Sequence, residues 1–325
     1  MATSSSNGPL SARSLDDLLD RYEEFDFSAG DDDEADRARA AEADAVAAEV
    51  LRRRPEDAGF WFDRGLLAKW RRDWPAAQEF NSRALALVPE DEREEEPAAW
   101  NLGTAATARR DWATARRAWA AYGIDVGGTG DEPVDADLGP AVVRLNPPVR
   151  YMGQRDLEID GRAGDAEVVW GWRLDPARIR ITSVPTPDSG HRYGDVVLID
   201  GQPHGTRNVD GDDFPVFEEI ELWERSPVPT LSLQVRGTPD DVAELREALD
   251  RAGLTVEDWT TEVGYVCRAC SDGLVHDHEH QPEIPADGTR RLGMSGDGDE
   301  ALRVVHEWLD RAPGRESEDL LIVLD

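Results

Sequence analysis

Lysine and cysteine are nearly missing from this chain, and basic residues of any kind are scarce. Lys69 is the single lysine, so almost all of the 36 basic residues are arginines, set against 69 acidic ones for a net charge of −33. Such a surface repels nucleic acid and anionic lipid, while a basic protein partner remains compatible with it. The acidity fits a high-salt cytoplasm or a GC-rich genome equally well. The two cysteines, Cys267 and Cys270, are two residues apart. They cannot form a disulfide framework and point to a reducing compartment with a metal or redox site. Long apolar runs are also missing: nothing approaches the roughly 18 residues of a membrane helix. The Ser/Gly-rich start from Met1 to Leu10 has no apolar centre of the kind a secretory signal needs. The expectation is a soluble, cytoplasmic protein with no membrane partner. What is present suffices for cores. Hydrophobic residues make up 39% of 325, with eleven tryptophans, and the length predicts two or three domains.

The chain is organised around an echo. Arg71-Arg72-Asp73-Trp74 returns 38 positions later as Arg109-Arg110-Asp111-Trp112. Gly65 and Gly103 each stand eight residues before the aspartate, and Ala77 and Ala115 four after it. Pro55 and Pro89, 34 residues apart, each close an Ala/Leu-rich helical run. A 34-residue unit with small residues at fixed offsets is a repeat signature, and the acidic run 91–96 accommodates the four extra positions of the longer period. Residues 58–122 thereby resemble tetratricopeptide repeats. Trp61, Gly65, Ala77, Ala84 and Pro89 fall on that family's positions in one unit; Leu102, Gly103, Ala115 and Trp119 do so in the next. Trp100 is one place out of register, and no closing proline follows Tyr122. Segment 35–55 matches only the second half of a unit. The resemblance implies stacked helical hairpins that bind a protein or peptide, with Arg64, Lys69, Arg71 and Arg109 as candidate contacts for an acidic peptide. A short stack leaves an apolar end that needs covering, by the rest of the chain or by a second copy as a homo-oligomer. Trp70, Trp74, Trp112 and Trp119, at helical spacings, read as core.

Around this block, residues 1–34 read as a disordered start and a short helix capped by Ser14. Residues 35–122 carry the repeats, and 123–140, rich in glycine and proline, read as a linker. Over 141–228 the apolar period switches to two, with turn signals such as Asp188-Ser189-Gly190 and Asp200-Gly201, which predicts an antiparallel β domain closed as a barrel or a sandwich. Over 229–325 the order is β-α-β twice: a strand from Thr230, a helix capped by Thr238 with Val242, Leu245 and Leu249 buried, and a strand from Leu254. Then come a strand at 291–294, a helix with Leu302, Val305 and Leu309 on one face, and a strand from Leu320. That is a ferredoxin-like βαββαβ unit, so the chain is expected to be multidomain α+β.

Between its halves, residues 262–288 form an insertion holding Cys267, Cys270, His276, His278 and His280. Two thiolates and two imidazoles are the ligand set of tetrahedral Zn²⁺, and four protein ligands imply a structural metal. Asp277 and Glu279 could orient the rings. A thiol pair and a solvated loop are the competing readings. In the β domain, the loop from Ser189 to Asp195 with His191 at its centre, together with His204, Asp210, Asp212 and Asp213, offers a place for acid–base work or simply a polar turn. His306 reads as structural. No catalytic motif is found, so an adaptor with a structural zinc site leads. A metal-dependent enzyme using the Cys/His loop and a small-molecule-sensing regulator are the alternatives.

Overall fold

In the computed structural model, which describes residues 9–27, 33–147, 158–159, 162–209, 211–261 and 285–325, the repeated Arg-Arg-Asp-Trp is a helix-to-helix turn. Helix α3 (Ala58–Trp70) ends where Arg72 takes a left-handed φ of 57°, and the Asp73 N–H reaches back to the Ala68 carbonyl at 2.9 Å. Asp73 then caps α4 (Trp74–Leu87) by accepting from the Ala76 N–H. The second copy repeats each step. Arg110 has φ 60°, the Asp111 N–H reaches the Ala106 carbonyl at 2.9 Å, and Asp111 accepts from Thr114, joining α5 (Pro97–Ala108) to α6 (Trp112–Tyr122). One left-handed residue followed by an Asp cap satisfies the orphan carbonyls of one helix and the orphan amides of the next.

The glycines explain themselves in the same way. A Cβ on Gly65 would lie 2.4 Å from the Asn81 amide, and one on Gly103 2.6 Å from the Trp119 ring. Each hairpin therefore closes at contact distances that only glycine permits. Ala77, Ala84, Ala115 and Ala118 are buried on the facing helices, as are Trp70, Trp74, Trp112 and Trp119.

Upstream, the half unit gains a partner. Helix α2 (Asp33–Arg53) runs in the 34-residue register of α4: Ala43, Val50 and Leu51 correspond to Ala77, Ala84 and Leu85, and all six are buried. Helix α1 (Leu15–Glu23), started by a Ser14–Asp17 capping box, packs Leu18 onto Val46 and Val50. The described helices of this unit thus form three successive hairpins. A polar ladder joins them with the same period. Asp44 accepts from Arg71 at 3.3 Å, and Gln78, 34 positions on, accepts from Arg109 at 2.7 Å.

Part of the expected linker is folded. Arg116 on α6 donates to the carbonyls of Gly127, Gly130, Glu132 and Pro133. Val126 and Val134 are buried by this strap. The first compact unit ends at Ala136 and the second begins at Asp137.

The second unit contains a five-stranded barrel and an antiparallel sheet. Strands β1 (Gly139–Leu145), β4 (Glu167–Asp175), β5 (Arg178–Ile181), β6 (Val196–Ile199) and β8 (Asp212–Glu224) pair antiparallel in that order, and β1 closes on β8 in parallel. Its interior is Ala141, Val143, Leu145, Val169, Ile179, Ile181, Val197, Ile199 and Phe217. Two strand pairings not predicted from sequence accompany it. One is a short hairpin of β2 (Glu158–Ile159) and β3 (Arg162–Ala163); the other is β7 (Gly205–Val209), which pairs with β8. The other sheet has β9 (Thr230–Arg236) flanked by β11 (Thr289–Ser295) on one side and by β12 (Glu316–Ser317) and β13 (Leu321–Leu324) on the other. Strand β10 (Thr255–Asp258) lies beyond β11. Helices α7 (Pro239–Arg251) and α8 (Gly298–Arg311) cover one face. On α8 the expected stripe is shifted by one residue: Ala301, Val304, Val305 and Trp308 are buried, and Leu302 and His306 are exposed. Trp308 decides this, since its ring fills the core while its Nε1 donates to the Asp241 carbonyl.

The close approach at Gly103 is directly testable. Gly103→Ala should cost about 1–3 kcal/mol, the usual penalty of forcing a methyl into a packed core. Denaturant unfolding of the full chain measures it; an unchanged midpoint would mean the hairpin does not depend on that contact.

Candidate functional site: a buried histidine between two carboxylates

The polar loop singled out around His191 is an internal site. The chain leaves β5 through a short turn, Pro187–Ser189, and Gly190 and Gly194 take left-handed φ values of 76° and 84°. This folds the loop back so that His191 and Asp195 are both fully buried. His191 Nε2 lies 3.1 Å from Glu219 Oε2, and Nδ1 lies 3.5 Å from Asp195 Oδ2.

Each carboxylate is anchored in turn. Asp195 accepts from the Arg192 N–H and from Arg225 at 2.9 Å, and from the Ser226 N–H at 2.7 Å. Glu219 on β8 accepts from the Asn146 N–H at 2.9 Å. Asn146, at φ 47°, spends its side-chain amide on the Asp165 and Ser189 carbonyls. Burial alone would push the imidazole pKa down, but the two carboxylates outweigh it and raise it to about 9. Both ring nitrogens face carboxylates, which favour the protonated form of the ring.

A second group with a shifted pKa is bonded to the same loop. Glu167 on β4 accepts from the Thr186 N–H at 2.9 Å and its hydroxyl at 2.8 Å. Burial, aided by the charge of Glu257, raises its pKa to about 7, against the pull of the Thr186 hydrogen bonds. Thr186 in turn accepts from the Ser189 hydroxyl, which accepts from the His191 N–H. One hydrogen-bonded path thus runs from Glu167 to Glu219.

Sequence reasoning located the histidine and the loop that holds Asp195, and missed Glu219. Asp212 and Asp213 are exposed at the start of β8, and His204 Nδ1 stands 3.9 Å from Glu218 Oε2; Asp210 lies outside the described residues. The available signal was Glu218-Glu219 between Phe217 and Ile220. Two adjacent acids at the centre of an apolar strand need internal cations, and the structure supplies Arg144 for Glu218 at 2.6 Å and His191 for Glu219.

The predicted metal ligands Cys267, Cys270, His276, His278 and His280 lie outside the described residues. Among the described residues no group of three or more His, Cys, Asp or Glu side chains is arranged to hold a metal ion. The four cations predicted to contact a peptide are all engaged. Arg64 is bonded to Asp44 at 2.7 Å and stacked 4.1 Å from the centre of the Phe80 ring. Arg71 and Arg109 form the ladder described above. Lys69 is buried, its ammonium bonded to Asn101 at 2.8 Å, which places it to hold α3 against α5. No helix among the described residues is long and apolar enough to cross a membrane.

No family model matches the chain, and no curated protein matches it. Among solved structures, a hypothetical protein from Neisseria gonorrhoeae is similar at 10% identity with a TM-score of 0.24, over 57% of this chain and 94% of that one. A likeness that low carries no argument about fold or function.

The imidazolium has a signed pH consequence. Because its folded pKa is raised, its stabilisation is full below an unfolded value near 6.5 and is lost as pH rises through about 9. His191→Asn should therefore destabilise the chain at pH 6, and the gap to wild type should narrow by pH 10. A gap that does not change with pH would show that the ring acts through packing alone.

Proposed function

We propose that this chain is a protein-binding adaptor. In this reading its helical hairpins act as tetratricopeptide-type repeats that receive a protein or peptide, and the barrel and a ferredoxin-like sheet are companion modules. The observation that carries the reading is the period itself. Glycine contact, left-handed arginine and Asp cap recur in consecutive hairpins, and the polar ladder between hairpins keeps the 34-residue register back to Asp44. A stack built this way presents one long face rather than a closed pocket, which suits extended polypeptide more than a small solute. The order β13-β9-β11-β10, with every neighbour antiparallel and a helix in each crossover, supports the ferredoxin-like label for the second sheet.

Binding is tested with the intact protein on a peptide array, followed by calorimetry on the peptides retained. Replacing both Arg71 and Arg109 by alanine should weaken such a peptide by roughly tenfold, about 1.4 kcal/mol, with thermal unfolding as the control for loss of the ladder. Peptides indifferent to both positions, or no retained peptide, would defeat the reading.

We also propose that Cys267 and Cys270, with two of His276, His278 and His280, hold a structural zinc ion. The support is the donor set alone: two thiolates and two imidazoles close a tetrahedral shell and leave no open position. Protein purified without a histidine tag should carry near-stoichiometric zinc by elemental analysis. Cys267→Ser should lose it and melt at a lower temperature. Metal-free wild-type protein would remove the site and leave the adaptor reading standing.

A further inference from the structure

Among the described residues, the last strand of the second sheet is an open edge. Strand β13 pairs with β9 alone among the described residues, so its outer row of N–H and C=O groups has no ladder partner there. It carries the two most solvent-exposed large apolar side chains of the described chain, Leu321 at 58% and Ile322 at 65%. Edges of this kind are normally blunted by lysine, proline or an inward-pointing charge, because they template pairing with another chain. Residues 320–324, Leu-Leu-Ile-Val-Leu, contain none of these; the irregularity between Ile322 and Leu324 is the one interruption. The strand is nevertheless held in place: its end is fixed by Arg192, which donates to the Asp325 carbonyl, and its start by the Glu318 N–H, which donates to the Gln234 carbonyl at 2.9 Å.

The occupant follows from charge. Exposed Glu318 and Asp319 precede the strand and exposed Asp325 follows it. A second copy pairing antiparallel about Ile322 would set Asp319 against Asp325 at both ends, between chains that each carry −33. Moving the centre halfway towards Leu321 sets Glu318 against Asp325 instead. Like charges directly opposite one another destabilise a strand pair. We propose that β13 is a docking edge for an extended segment of another protein, with apolar or β-branched residues at alternate positions and basic residues at both ends. The segment would add a strand beside β13. Main-chain hydrogen bonds would give affinity, Leu321 and Ile322 would fix register, and the flanking acids would select the basic ends. This surface is independent of the helical block.

The test is fluorescence anisotropy of the full chain with labelled peptides of alternating valine and threonine flanked by arginines. One control peptide has glutamate flanks and another has a central proline. Wild type and Ile322→Val should bind the arginine-flanked peptide saturably, and more weakly as salt rises. Ile322→Lys, the glutamate flanks and the central proline should each weaken binding by roughly tenfold or more. Ile322 is exposed, so unfolding midpoints should hold across the variants. Absence of saturable binding, or binding that survives the lysine or the proline, overturns the proposal. So does a wild-type dimer in sedimentation that Ile322→Lys dissociates, which would give the edge to a second copy.

Discussion

With 69 acids and 36 bases, this fold can bury an acid only where it can also bring a cation or a set of backbone amides. Desolvating an unpaired carboxylate is among the costliest things a core can do. The buried cations follow that constraint. Arg144 meets Glu218, Arg178 meets Asp175, Arg290 meets Asp258, and His191 takes Glu219 and Asp195 together. Other bases act as main-chain staples: Arg53 on the carbonyls of Leu10, Ser11 and Arg13, and Arg116 on four carbonyls of the strap. At the surface acids outnumber the remaining bases, and the partner chemistry of the molecule is set by that excess.

The preference for arginine has a geometric side. A guanidinium presents several donors in a fixed plane, so one side chain can serve two carboxyls or several carbonyls. Arg315 bridges Asp241 and Glu244 while also donating to the Trp308 carbonyl and lying over the Trp308 ring. A lysine offers a point charge with no such reach. The one lysine bonds Asn101 between α3 and α5 and lies over the Trp70 ring. Between Glu219 and Asp195 the basic side chain is instead His191, small enough to fit between two carboxylates where a long arginine would need more room.

What the sequence made legible was local. The capping boxes at Ser14 and Thr238, the Asp73 and Asp111 caps and the spacing of the repeat glycines all encode contacts within a few turns of chain. Strand positions followed from period-two patterning, because each strand keeps one face in a core. What escaped was decided at long range. The β1–β8 pairing that makes the sheet a barrel joins residues more than seventy positions apart and leaves no local mark. Helix α1 lacks the glycine and Arg-Arg-Asp-Trp turn of its successors, so nothing in its own residues joins it to α2. The stripe on α8 was displaced because Trp308, the largest residue there, takes the core position. At the candidate site the histidine was visible as a rare residue in a polar loop, whereas Glu219 and Asn146 become its neighbours only when β8 closes on β1.

The same scarcity of cations separates the two faces argued to take partners. Within the helical block Arg64, Lys69, Arg71 and Arg109 are already committed to neighbours, so an acidic peptide there would have to compete with Asp44, Gln78 and Asn101 for them. At β13 no internal cation has to be given up: Asp319 and Asp325 are exposed, exposed Glu318 accepts from the neutral Gln234 amide at 2.7 Å, and the strand edge is open among the described residues. A basic segment gains attraction without breaking an internal pair, and self-pairing is opposed by the charges that favour that segment. The acidity that deprives the core of spare cations thus acts at this edge as selection against the chain's own copies.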